Sequence, residues 1–89
     1  MSWMPVSVDM MFDDFKDTLI ECQVVRNGET ILNCSGMLND ENGKEYIMFR
    51  YGLDIQVGDI IFSEHGNDIV QSIVIGKYEG EPNAIEAYI

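Results

Sequence analysis

Hydrophobic and polar positions change their period near residue 18. Before it, Met11, Phe12, Phe15 and Leu19 recur at i, i+1, i+4 and i+8, which gathers them on one face of a helix. Ser7 stands where an N-cap belongs, and Asp9 in the first turn suits the positive end of the helix dipole. Asp13, Asp14 and Asp17 fall mostly on the other face. The spacing predicts a short helix over residues 7–17. The ordinary use of such a stripe is packing on its own domain. Residues 1–6 read as an arm. The competing reading has Trp3, Met4 and part of the helix docking on a neighbour.

After residue 18 the period is two. Ile20, Cys22 and Val24 alternate with Glu21 and Gln23 over residues 18–25. Asn27-Gly28 follows, a pair that tolerates positive φ and marks a hairpin turn. Residues 30–38 return as a second strand with Leu32 and Cys34 facing in. The segment 39–44 is polar and reads as a turn or loop. Residues 45–51 carry Tyr46, Ile47, Phe49 and Tyr51 and make a third strand. Gly58-Asp59 is a tight turn feeding a strand at 60–64. The segment 65–68, with Gly66, turns again. Residues 69–75 are the most apolar run and predict a strand buried on both sides. Residues 76–83, with Gly80 and Pro82, read as a loop. Residues 84–89 alternate once more as the last strand.

These elements predict a mainly β fold. It is a small antiparallel β-barrel or sandwich of about six strands, with one short N-terminal helix, in a single domain over residues 1–89. Gly28, Gly58, Asp59 and Gly66 are assigned to turn geometry. A closed or nearly closed barrel hides sheet edges and encloses a core that 89 residues can fill. A chain of this length buries only about 60–65 % of its unfolded surface, so it is marginal as a monomer.

Charge changes the picture more than composition does. Sixteen acids face five bases, for a net charge of −11. Nine acids fall in residues 1–45 and seven in residues 46–89, so there is no acidic tail. Three readings stand: solubility by self-repulsion, a partner with a basic surface, or a mimic of DNA whose carboxylates stand in for phosphates. Direct nucleic-acid binding needs clustered Lys and Arg, which the chain lacks. Tyr46, Phe49, Tyr51, Phe62 and Tyr88 could stack bases, but only Lys44 and Arg50 lie near them, and the ordinary use of such aromatics is core packing. No apolar run approaches a membrane span, and the start has no basic segment of a secretory signal.

Catalytic and metal chemistry find little footing. A single histidine, His65, lies in a predicted turn and reads as a solvated surface residue. No Ser or Cys stands at a plausible spacing for a triad. There is no phosphate-binding glycine loop. Aligning Gly43 with the glycine of a calcium loop puts Leu38 and Phe49 at the first and last ligand positions, so that motif fails. Cys22 and Cys34 fall at inward strand positions, as neighbours across one hairpin. Reduced thiols are the expected state without a secretory signal, with a disulfide as the alternative. No enzyme, cofactor or metal is predicted.

The stretch 46–89 resembles phage head–tail joining proteins, the lambda-type attachment or head-closure family. A strand ending near Phe49-Arg50 leads to Val57-Gly58-Asp59-Ile60-Ile61. A turn with Gly66 leads to the apolar strand 69–75, and a loop leads to a closing strand at 84–89. The helix and first hairpin also have counterparts in that family. The resemblance implies a structural virion component in a ring between portal or connector and tail-completion proteins. It would reside in the host cytoplasm during assembly and then in the virion. Trp3, Met4, Asp40, Glu41, Glu79 and Glu81 are the expected interface residues, in the arm and the two polar loops. The alternative is an acidic DNA-mimic inhibitor of a nucleic-acid-binding protein.

Overall fold

A computed structural model describes residues 2–3 and 7–89, with side chains from residue 7 onward. Eight strands form one sheet in the order β1-β7-β8-β4-β3-β2-β5-β6. They are β1 (Ser2–Trp3), β2 (Ile20–Arg26), β3 (Glu29–Glu41), β4 (Lys44–Arg50), β5 (Ile60–Ser63), β6 (Gly66–Ile69), β7 (Ser72–Tyr78) and β8 (Glu81–Tyr88). Only β1 runs parallel to its neighbour; the other seven strands are antiparallel. The sheet curls into a half-barrel and leaves β1 and β6 at its two edges.

The period-two pattern sets which side chains enter the curl. Val24, Ile47, Phe49, Ile61 and Val70 are its largest fully buried side chains. Cys22 and Cys34 face each other across β2 and β3 and are free thiols. Gly36 lies over this core. A Cβ there would stand 2.5 Å from Ile47 Cγ2 and 2.9 Å from Phe49 Cε1, so glycine is what lets β3 pass over the aromatic ring.

The helix α1 (Val8–Asp14) packs on the outer face. Val8 and Phe12 join Met37, Met48 and Ala84 in a second apolar cluster. Ser7 caps it as expected, its hydroxyl accepting the Met10 N–H at 3.2 Å. The Val8 N–H donates to Asn83 Oδ1 at 2.6 Å, which fixes the helix start to β8. The helix ends sooner than residue 17. Asp13 and Asp14 crowd its negative end, no basic residue offsets them, and the chain continues as a 3-10 turn, Lys16–Thr18. Phe15, expected on the buried stripe, is exposed.

Three further expectations are corrected. The apolar run 69–75 is two strands, not one. Val70 leaves the β6 line by exchanging backbone hydrogen bonds with Gly58 and Asp59, and the chain re-enters the sheet at Ser72. The segment 76–83 is not a loop. It is a tight hairpin turning at Glu79-Gly80, with Pro82 opposite Lys77 beside an irregularity in β7 that accommodates its missing N–H. The segment 65–68 is not all turn, since Gly66 opens β6. Gly28 and Gly58 hold positive φ at their turns (80° and 94°), and Gly66 does so at the start of β6 (136°). The 39–44 segment holds the expected turn at Asn42-Gly43, while residues 39–41 continue β3 and Lys44 opens β4.

Candidate functional site

The expected interface residues separate into two places. β4 and β8 are antiparallel, with Tyr46 opposite Tyr88 and Arg50 opposite Ala84. The β3–β4 turn therefore lies at one end of this pair and the β7–β8 turn at the other. Asp40 and Glu41 occupy the first end, opposite Glu45 and Lys44 in the ladder. Asp40 Oδ1 accepts the Gly43 N–H at 3.1 Å and stiffens that turn. Glu79 and Glu81 occupy the second end. Trp3 belongs with them, because β1 pairs Trp3 with Lys77, which is opposite Pro82. The backbone of Ser2 and Trp3 is thus laid along its own sheet, where the competing reading had the arm on a neighbour. Met4 lies outside the described residues.

A shallow groove of about 570 Å³ adjoins the first end, lined by Lys44, Glu45, Ser72, Val74 and Tyr88 among others. The Tyr46 and Tyr88 rings meet beside it at 4.9 Å between centroids. Burial, with the charge of Glu86 adding to it, raises both phenol pKa values. Glu86 itself is buried on this face of β8.

Three polar clusters were not visible in the sequence. Arg26 reaches across from β2 to the loop before β5. Its Nε and Nη2 donate to Asp59 at 2.9 Å each, and Nη1 and Nη2 donate to Asp54 at 3.1 and 3.2 Å. Asp59 is only 3 % exposed. Its carboxylate also accepts the Gln56 N–H at 2.9 Å, so it makes the predicted turn and anchors a part-buried ion pair besides. The Arg26 hydrogen bonds hold the Asp59 carboxyl below the usual carboxylate range. The second cluster joins Arg50 to Asp9 and sets its guanidinium 5.0 Å above the Phe12 ring, which fastens α1 to β4.

The third cluster adds partners to His65, which lies exposed in a turn as expected. Its Nδ1 lies 2.8 Å from Asp68 and its Nε2 lies 3.3 Å from Glu45. The hydrogen bond to Asp68 leads in raising its pKa, with the charges of Asp68 and Glu45 adding to it. The β5–β6 turn is thereby clasped to the start of β4 across the mouth of the curl. A scarce base in an acidic chain signals such pairing in general, but which acid it meets depends on contacts 33 residues apart for Arg26 and Asp59 and 41 for Arg50 and Asp9.

Among the described residues, no group of three or more His, Cys, Asp or Glu is arranged to hold a metal ion. No helix among them is long and apolar enough to cross a membrane. Neither a family model, nor a curated protein, nor a solved structure matches this chain.

Proposed function

We propose that this chain is a non-enzymatic structural protein of a phage or prophage that joins head and tail during virion assembly through protein–protein contacts. One observation carries the reading. Two hairpin ends carry acids, Asp40 and Glu41 beside one turn and Glu79 and Glu81 at the other, and they stand at opposite ends of the β4–β8 pair, so one rigid domain presents a separate charged contact to a neighbour at each end. The sheet between them supplies stiffness, and both turns are short, so little entropy is lost on binding. The partners are portal or connector and tail-completion proteins. A ring of copies would cover surface that a chain of this size leaves exposed.

The test is affinity capture of the tagged protein from lysate of its native source, at low and high salt, with partners identified by mass spectrometry. Portal, capsid or tail proteins should be recovered, with the yield falling at high salt because the contacts are charged. Reversing charge at Asp40 and Glu41, or separately at Glu79 and Glu81, should each remove a different neighbour. Recovery of a basic DNA-binding protein that is lost at high salt would overturn the joining role in favour of a DNA mimic, because such binding is charge-driven.

A further inference from the structure

The outer face of the half-sheet that ends at β6 is apolar where a solvated face would be polar. Val25 lies opposite Ile60, and Ile60 lies opposite Ile69, so one lateral row crosses β2, β5 and β6. The next row is Gln23, Phe62 and Asn67. Ile69 is 54 % exposed and Phe62 is 39 % exposed. Their neighbours in sequence, Ile61 and Val70, point into the core and are buried. The row runs out to β6, which pairs with β5 on one side and has no strand on its other side among the described residues. An open edge of this kind is a template for another strand. Gly66-Asn67-Asp68-Ile69 has no lysine, proline or bulge; it is four residues long, and its one charge, Asp68, pairs with His65 on the face away from Asn67 and Ile69.

Charge selects the occupant. On β2, β5, β6 and residues 29–36 of β3, Arg26 is the sole Lys or Arg, and Asp54 and Asp59 take its guanidinium. Beside Phe62 lies a hollow of about 350 Å³ walled by Glu21, Gln23, Asn33 and Glu64. Phe62, on the strand next to β6, and Glu64, in the turn that joins the two, suit a guanidinium, which stacks on the ring and pairs with the acid. A second copy of this chain, at a net charge of −11, is repelled from the same place.

We propose that β6 takes an extended segment of a partner protein by strand addition, and that this segment carries an arginine two residues from a β-branched apolar residue. The spacing follows from the sheet. An added strand lies about 4.8 Å beyond β6. Its side chain opposite Ile69 extends the apolar row. The side chain two residues away falls opposite Asn67, and an arginine there reaches over Asn67 to Phe62 and Glu64. Main-chain hydrogen bonds supply affinity and the alternate side chains supply selectivity. The proposal deepens the joining reading only by assuming that the ligand is a protein.

The test uses the whole protein and a synthetic eight-residue peptide, blocked at both ends, with threonine alternating with arginine and valine. Two control peptides carry glutamate for arginine, or N-methyl groups on the amides of the pairing edge. Binding is followed by amide NMR shifts and hydrogen exchange. The expected result is slowed exchange at residues 66–69 and shifts spreading to Phe62. Affinity should fall at least tenfold with either control peptide, and at least tenfold in the Glu64→Lys variant. Equal binding of the N-methylated peptide would overturn strand addition. Shifts confined to residues 40–43 or 79–81 would also overturn it and leave the joining reading standing. No binding would overturn it as well, and capture of virion partners from lysate would then judge the joining reading separately.

Discussion

Arg26 and Asp59 share two parallel hydrogen bonds of 2.9 Å, although 33 residues separate them. The pair ties the β2–β3 hairpin to the loop that precedes β5, and it is the main polar link between those segments. Asp59→Ala should destabilise the fold by about 2 kcal/mol, because hydrogen bonds to charged groups contribute roughly 1.5–3 kcal/mol each when a partner is lost. Asp59→Asn keeps an acceptor for the Gln56 N–H and should cost less. The folded Asp59 pKa is lowered. Its contribution is therefore full above the ordinary carboxylate value of about 3.9 and disappears as pH falls through the folded value. Urea unfolding midpoints from pH 2 to pH 6 should show this acid loss in the parent protein and a weaker one in Asp59→Asn.

His65 predicts the opposite slope. Asp68 and Glu45 raise its pKa, so the clasp between the β5–β6 turn and β4 is complete below the ordinary histidine value of about 6.5. It weakens as pH rises through the raised folded value. Thermal scans should give a melting temperature that declines from pH 6 to pH 9. His65→Gln should flatten this decline and lower the melting temperature chiefly at the acid end.

Gly36→Ala should destabilise the domain by about 2 kcal/mol, since an added methyl meets Ile47 and Phe49 inside contact distance and overpacking of a filled core costs ~1–3 kcal/mol. Combining it with Phe49→Leu should recover part of the loss, because the ring is one of the two obstacles. Chemical denaturation of the two single variants and the double variant measures the coupling.

The thiols of Cys22 and Cys34 should react slowly. Burial pushes Cys22 up to about 12 and Cys34 up to about 11, and the thiolate is the reactive form. Alkylation at pH 8 should be slow in the native protein and fast for both residues in 6 M guanidinium. Mass spectrometry of the modified chain reads the two rates.

Much of the architecture was legible where local chemistry decides it. Ser7 as a cap, Asn27-Gly28 as a turn, the facing of Cys22 and Cys34, and the strand around Ile47 and Phe49 all depend on neighbours in sequence. The run 69–75 misled because a stretch of apolar residues looks alike whether one strand is buried on both sides or two strands meet at a break. Only the Val70 hydrogen bonds to Gly58 and Asp59 decide between them. Pro82 misled in another way. It usually argues against a strand interior, yet here it sits beside a β7 irregularity that needs no N–H from it. Of the expected interface, the sequence put the acids in loops, whereas Asp40, Glu41 and Glu81 are strand residues beside tight turns, and it could not place those turns relative to each other. That follows from the pairing of β4 with β8, which no local pattern encodes. The ion pairs of Arg26, Arg50 and His65 were hidden for the same reason.

The central position of β8 has a consequence for how the protein is made. β8 bridges β7 and β4, yet it follows every other strand of the sheet in the chain. Until it emerges, β4 has paired with β3 alone, and the edge that carries Ile47 and Phe49 is bare. The sheet therefore completes only once β8 has emerged, through contacts of long sequence separation that close slowly. Over that interval a nascent chain with fourteen acids ahead of β8 repels its neighbours on the polysome. The same excess of carboxylates that marks the finished surface protects the unfinished one from aggregation.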